Sequence, residues 1–218
     1  MVKQVMSKIA ILTASAFVAI IGATGHALLA EKSFDLKDPK SVNSVSFNID
    51  SNVEPIQGYA SGIIGNVKID PMNPEATTGT VVIDVKTIGS ANARLASKML
   101  GTGFLEADKF PTIQFKIVKV TEAKTSKMKD MSVIECKVEG DFTMRNVTKR
   151  ITVPAIVKWV PEGNQVRQGI PGDILTIKSN FSINRLDFGV DGGLPLELVG
   201  NKVDVAFNIA ATEIVATK

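Results

Sequence analysis

The sequence predicts an all-β fold, an eight-stranded antiparallel barrel with one short helix, and three observations carry that expectation. Apolar and polar residues alternate with period two over most of the chain, which sends successive side chains to opposite faces of a strand. About eight such runs occur, most with one apolar face. Only one segment has helical spacing instead. Strands with one apolar face must bury it, and with so little helix to cover them a sheet most economically curls on itself. A two-sheet sandwich is the rival arrangement, but closure also removes the unpaired edges that invite aggregation.

The strands follow in order along the chain. Val45, Phe47 and Ile49 alternate with Ser46, Asn48 and Asp50. An extended stretch over 56–70 is punctuated by Gly58, Gly62 and Gly65, which suggest bulges or sharp bends, and it closes in the Asp70-Pro71-Met72-Asn73-Pro74 loop. Val81, Ile83 and Val85 form the next strand. Ile113, Phe115 and Ile117 follow, and Val118 with Val120 signals a bulge that changes face. A hydrophilic stretch, 121–130, separates these from Ile134, Cys136, Val138, Gly140, Phe142 and Met144. Arg145-Asn146 is a short turn into Ile151, Val153, Ala155, Val157 and Trp159. Leu175 to Ile183 and Val203 to Ala211 complete the set. Between the strands ending at Val85 and starting at Ile113, 90–100 reads as the helix, with Ala91, Leu95 and Met99 four apart on one face, Ser90 as its cap and Gly101 as its stop. That helix lies across the barrel as a lid or as an ordinary packing element.

The first residues have the pattern of an export signal. Lys3 and Lys8 precede an apolar run, Ile9 to Gly22, and Gly25-His26-Ala27 supplies small residues for cleavage after Ala27. The run is shorter than the roughly 20 residues needed to span a bilayer. The expected organisation is a signal peptide over 1–27 and one barrel domain over 28–218, exported to the periplasm or beyond. Removing Lys3 and Lys8 from 25 basic residues leaves 23 against 22 acidic ones, so the mature charge is +1. A near-neutral surface without a Lys/Arg stripe argues against nucleic-acid partners and against a polybasic membrane patch. No stable membrane insertion is expected.

Catalytic signals are sparse. His26 is the single histidine and leaves with the signal, which removes imidazole-based triads and most zinc sites. Cys136 is the single cysteine, so no internal disulfide forms, and it keeps step with Ile134 and Val138 on an apolar face. Asp187 with Asp191, and Glu135 with Glu139, remain as carboxylate pairs for a rival, enzymatic reading, which requires two acids converging on a cleft. Asp70 and Asn73 give only a weak calcium signal, without a dense acidic loop. No cofactor is implied. The reading with positive support is ligand binding inside a small barrel. Its candidate contacts are Phe47, Phe115, Phe142, Trp159 and Phe181, for which plain core packing is the alternative.

Three stretches resemble the YceI family of exported, lipocalin-like bacterial proteins. They are Phe104-Leu105-Glu106-Ala107-Asp108-Lys109-Phe110-Pro111-Thr112-Ile113-Gln114-Phe115, then Val138-Glu139-Gly140-Asp141-Phe142-Thr143-Met144-Arg145-Asn146-Val147-Thr148-Lys149, then Ile183-Asn184-Arg185-Leu186-Asp187-Phe188-Gly189-Val190. Their order and spacing match across nearly all of the mature chain. The resemblance implies a periplasmic lipocalin-like barrel that holds an isoprenoid, quinone or fatty amphiphile, with links to quinone handling and stress responses and no catalytic mechanism. It adds Arg185 and Phe188 to the candidate contacts, and pairs Arg185 with Asp187 as a structural ion pair, the alternative being a contact from Arg185 to a polar ligand head. Two departures, Ile49-Asp50-Ser51-Asn52-Val53 where many members carry a histidine and Leu95 after Arg94 where many carry an acid, favour a neutral head such as a quinone or fatty amide. A homodimer is left open, as is a secreted protein-interaction module with a solid core.

Overall fold

The computed structural model describes residues 31–53 and 55–215; the expected signal over 1–27 lies outside the described residues. Ten strand segments and two helices occur in the order β1 (Lys32–Asp35), β2 (Ser44–Ile49), β3 (Ile56–Ala60), β4 (Ile63–Ile69), β5 (Thr78–Asp84), α1 (Ala93–Leu100), β6 (Thr112–Met128), β7 (Met131–Met144), β8 (Val147–Val160), α2 (Gly163–Gln168), β9 (Ile174–Asn184) and β10 (Lys202–Glu213). All pairings are antiparallel, and β1 meets both β4 and β10, which closes the sheet.

The ten segments make eight staves. β1 and β2 are two pieces of one stave, because both pair with β10, and β3 and β4 are two pieces of the next. Asn43 bridges the break between β1 and β2. Its amide donates to the carbonyls of Leu36 and Ala210 and accepts from the Ala210 N–H, as a strand backbone would. At the break in the second stave, Gly62 has no room for a side chain beside Thr87, and just beyond it, within β4, Gly65 holds φ +130 with the Thr80 carbonyl 2.0 Å from where a Cβ would stand. Glycine is the residue that adopts this backbone without a steric penalty.

Two expectations shift, and two hold. The hydrophilic stretch over 121–130 is mostly strand, because β6 continues to Met128 in register with β7; backbone pairing does not require apolar side chains on a hairpin whose faces meet water. Register shifts between Ile117 and Lys119 and between Thr121 and Lys124 accomplish the change of face, leaving Val118 exposed and Val120 buried. In α1 the cap is Asn92 rather than Ser90: its side-chain oxygen accepts from the amides of Arg94 and Leu95, so Ala91 precedes the helix. Arg145 and Asn146 both have positive φ, the geometry of a two-residue hairpin turn that follows the strand twist.

One end of the barrel is solid. Phe34, Leu36, Ile134, Trp159, Leu175 and Ala211 are buried there, with the Phe34 and Trp159 rings edge-to-face at 5.1 Å. The seam between β1 and β10 has only two residue pairs, Phe34 with Glu213 and Asp35 with Thr212. Side chains reinforce it. Lys32 Nζ lies 2.8 Å from Asp173 and 2.9 Å from Glu213, and Asp173 also accepts from Trp159 Nε1 and the Glu162 amide. A second buried carboxylate, Asp38, accepts from the amides of Lys40, Val42 and Asn43 and from Arg167 at 2.6 Å, tying the β1–β2 connection to α2.

Burial alone would raise the Asp38 pKa, but the amides of Asn43, Lys40 and Val42, with the Arg167 guanidinium, outweigh it and hold the carboxyl below the usual aspartate range. A depressed folded value means that Asp38 stabilises the fold fully above the unfolded value near ~3.9 and ceases to do so as pH falls through the folded one. Asp38→Ala is expected to cost about 1–2 kcal/mol at pH 7 by removing the acceptor shared by three amides and Arg167, although the exposed Lys40 and Val42 amides can turn to water. It should also flatten the acid limb of the stability profile below about pH 4. Urea unfolding across pH reads both effects, and an unchanged acid limb would remove Asp38 from this role.

Candidate functional site

The half of the barrel toward the β2–β3 and β7–β8 turns is hollow. It holds a cavity of about 310 Å³, lined by inward residues of every stave and by α1 and three loops. None of the solid-end residues Phe34, Leu36, Trp159, Leu175 or Ala211 lines it. The division follows from side-chain size and from how the rings lie. Phe47 sits across from Gly58, and a Cβ on that glycine would stand 2.2 Å from the tip of the Phe47 ring. Gly140 does the same for Phe115, at 2.3 Å. Both rings therefore lie down along the wall, over a residue without a side chain, and leave the middle of the barrel open. Phe47, Ile49, Val81, Phe115, Phe181, Val205 and Phe207 all face this space, and each is only half-buried, whereas inward residues of the solid end are fully buried.

The rim is built from α1, the loop that follows it and the loop after β9. Leu95, Lys98 and Met99 of α1 line the cavity, so the helix forms part of the wall. Phe104 lies against Gly192, whose N–H donates to the Gly103 carbonyl at 2.7 Å, so the two loops touch. Arg145, in the β7–β8 turn, clamps both: it reaches Glu106 at 2.5 Å, donates to the Gly189 carbonyl and lies over the Phe110 ring at 5.4 Å.

Of the seven residues expected to contact ligand, Phe47, Phe115, Phe142, Phe181 and Arg185 line the cavity. Trp159 and Phe188 do not. Trp159 belongs to the solid end, bonded to Asp173, and Phe188 is buried behind Phe142, edge-to-face at 5.3 Å. Period two fixes which face a side chain takes, but not its height along the barrel axis. Arg185 is 2 % exposed and does not pair with Asp187. It donates instead to four carbonyls, those of Gly200 (2.8 Å), Val190 (2.5 Å), Asp191 (2.9 Å) and Val199 (2.7 Å), so it fixes the loop that closes over the rim. Burial lowers its pKa, an effect the charge of Asp191 partly offsets. Asp187 lies outside, 3.5 Å from Lys149.

The carboxylates of the enzymatic reading do not meet at the cavity: no Asp or Glu lines it. Glu139 pairs with Arg150, and Glu135, Asp187 and Asp191 are exposed. Asp70 caps its own loop by accepting from the Met72 amide, and among the described residues no group of three or more His, Cys, Asp or Glu is placed to hold a metal. Cys136 is half-buried in the wall, and burial pushes its thiol pKa up, away from reactivity. Among the described residues no helix is long and apolar enough to cross a membrane. The lining contributions of Lys98, Phe104, Leu194 and Leu198 were not foreseen, because loops and a helix side carry them rather than alternating strands; the Leu95–Met99 spacing was the one available signal.

A wall that depends on rings lying over glycines makes a specific demand. Gly140→Ala brings a methyl group onto both the Phe115 ring and the Lys116 carbonyl, at 2.7 Å for the latter, and is expected to destabilise the fold by about 1–3 kcal/mol. Adding Phe115→Leu should recover the part due to the ring. Equal losses with and without that second change, in denaturant titrations, would contradict the arrangement.

Comparison with known proteins places this geometry. The YceI-like domain profile matches residues 36–211. A UPF0312 protein of Vibrio vulnificus is 30% identical over 100 residues, covering 46% of this chain and 49% of its own length. A UPF0312 protein of Pseudomonas putida is 28% identical over 139 residues, 63% of this chain and 65% of the relative. The chain thus spans about half the length of the first of these relatives. Among solved structures, BcnA of Burkholderia cenocepacia superposes with a TM-score of 0.60 at 20% identity, covering 78% of this chain and 96% of that one. A polyisoprenoid binding domain from Saccharophagus degradans gives 0.59 at 9% identity, covering 85% and 100%. These likenesses establish a shared barrel fold.

Proposed function

Because the chain belongs to the YceI-like family, we propose that it is a binding or carrier protein for an isoprenoid-type or fatty amphiphile, whose tail it holds in the barrel interior. The observation that carries this reading is the hollow half of the barrel, where apolar side chains face one another and stay half-buried. In a folded domain such side chains normally meet other side chains at close packing. Here a lipid tail would complete the contact, each buried methylene contributing about 0.8 kcal/mol before ordering costs. Affinity then needs few polar contacts. Phe47, Phe115, Phe142 and Phe181 form the walls of the proposed site, and Arg185 positions its closing loop. An isoprenoid quinone is one ligand of this class. The relative from Saccharophagus degradans, whose name records polyisoprenoid binding, supports the class of ligand by fold likeness. Export and periplasmic action, with cleavage after Ala27, are part of the proposal and rest on the lysine-flanked apolar run at the N-terminus.

Filling the hollow tests the reading without touching the solid end. Val205 faces the cavity between Phe47 and Phe181, and Val205→Trp puts an indole where the tail would lie. The variant should unfold cooperatively like the parent, yet take up a polyprenol at least about tenfold more weakly. Ile156→Trp, on the outer surface, should leave uptake unchanged. Uptake by a folded Val205→Trp variant equal to that of the parent would place the ligand elsewhere.

A further inference from the structure

We propose that the cavity selects amphiphiles with an anionic head, a carboxylate or a phosphate, and that Lys98 at the rim is the residue that recognises it. The inference rests on the carrier reading above and reverses the expectation of a neutral head. Of all the side chains that line the cavity, only two are charged, Lys98 and Arg185, and both are cations. No carboxylate lines the cavity beside them. Of the acids on the same rim, Glu106 is paired with Arg145 and Lys109, Asp187 with Lys149, and Glu197 is exposed without lining the cavity. Asp191 gives Arg185 a carbonyl, and its exposed carboxylate acts only through space.

The two cations have different duties. Arg185 uses its donors on four carbonyls, so its charge is solvated by dipoles rather than cancelled by an ion pair. Lys98 is free to respond to that vacancy of negative charge. It forms no ion pair with any described residue; its Nζ lies 5.8 Å from the centre of the Phe104 ring, which itself lines the cavity. Its long stem lines apolar surface while the ammonium stays in water at the opening. A tail inserted between the phenylalanines would leave its head at this level. An anionic head there gains a charge-assisted hydrogen bond from Lys98 and the field of Arg185 and remains partly hydrated, whereas an alcohol or amide gains much less.

Binding of hexadecanoate, hexadecyl phosphate, hexadecanol and hexadecanamide to the mature protein, measured by calorimetry at low salt, separates the possibilities. The parent should prefer the acid and the phosphate to the alcohol and the amide by about three- to fivefold, the scale of a partly exposed ion pair. Lys98→Gln should abolish the preference, and Lys98→Arg should keep it. The ratio between acid and phosphate tells which anion fits better. Equal affinities in the parent, or a preference that survives in Lys98→Gln, would overturn the assignment and leave the carrier reading standing. Binding of none of the four would overturn the assignment, and the carrier reading falls with it if a polyprenol is not taken up either.

Discussion

Closure of the sheet between β1 and β10 is the constraint from which the other features follow. β1 adds only two residue pairs to the six that β2 makes with β10, so this end of the stave is briefly joined and would be an open edge without help. Lys32, Asp173 and Glu213 lie across it, Trp159 is hydrogen-bonded to the same Asp173, and the Phe34 ring packs against Trp159. Several of the best-buried side chains, Phe34, Leu36, Leu175 and Ala211, thus gather at this end. Stability concentrates at one end, and the other end is released from the duty of filling its own interior.

That release is what the hollow half exploits. An eight-stranded barrel is just wide enough for side chains to fill it or for one ligand to lie inside. Which outcome occurs depends on where the large residues point. Phe47 and Phe115 lie along the wall because Gly58 and Gly140 stand behind them, and valines and isoleucines supply most of the remaining lining. Arg185 and Arg145 then stitch the loops of the rim through carbonyls and Glu106, so the opening has a fixed border.

Much of this was legible in the chain. Alternation gave the staves, including the broken one over 56–70, and Val118 with Val120 marked the bulge in β6. The short β1 escaped notice because four residues with a single buried apolar side chain carry no periodicity. Phe47 and Trp159 look alike in sequence, both aromatic on an inward face. They differ in height along the barrel axis, which is set by the stagger of the strands and by the position of the seam rather than by any local pattern. Arg185 was found by its motif, but its partners are backbone carbonyls of a loop, and carbonyls have no sequence signature. Lys98 had no signal at all beyond its place beside Met99 in a short helix.

The central claim is that the hollow half holds a lipid tail. Native mass spectrometry of the mature protein, purified from the cells that make it and followed by solvent extraction and identification of the extracted lipid, tests this most directly. The account predicts one bound mass per chain that extracts as a polyprenyl or acyl compound. A ligand-free mass, with no uptake of added polyprenols, quinones or fatty amphiphiles, would contradict it.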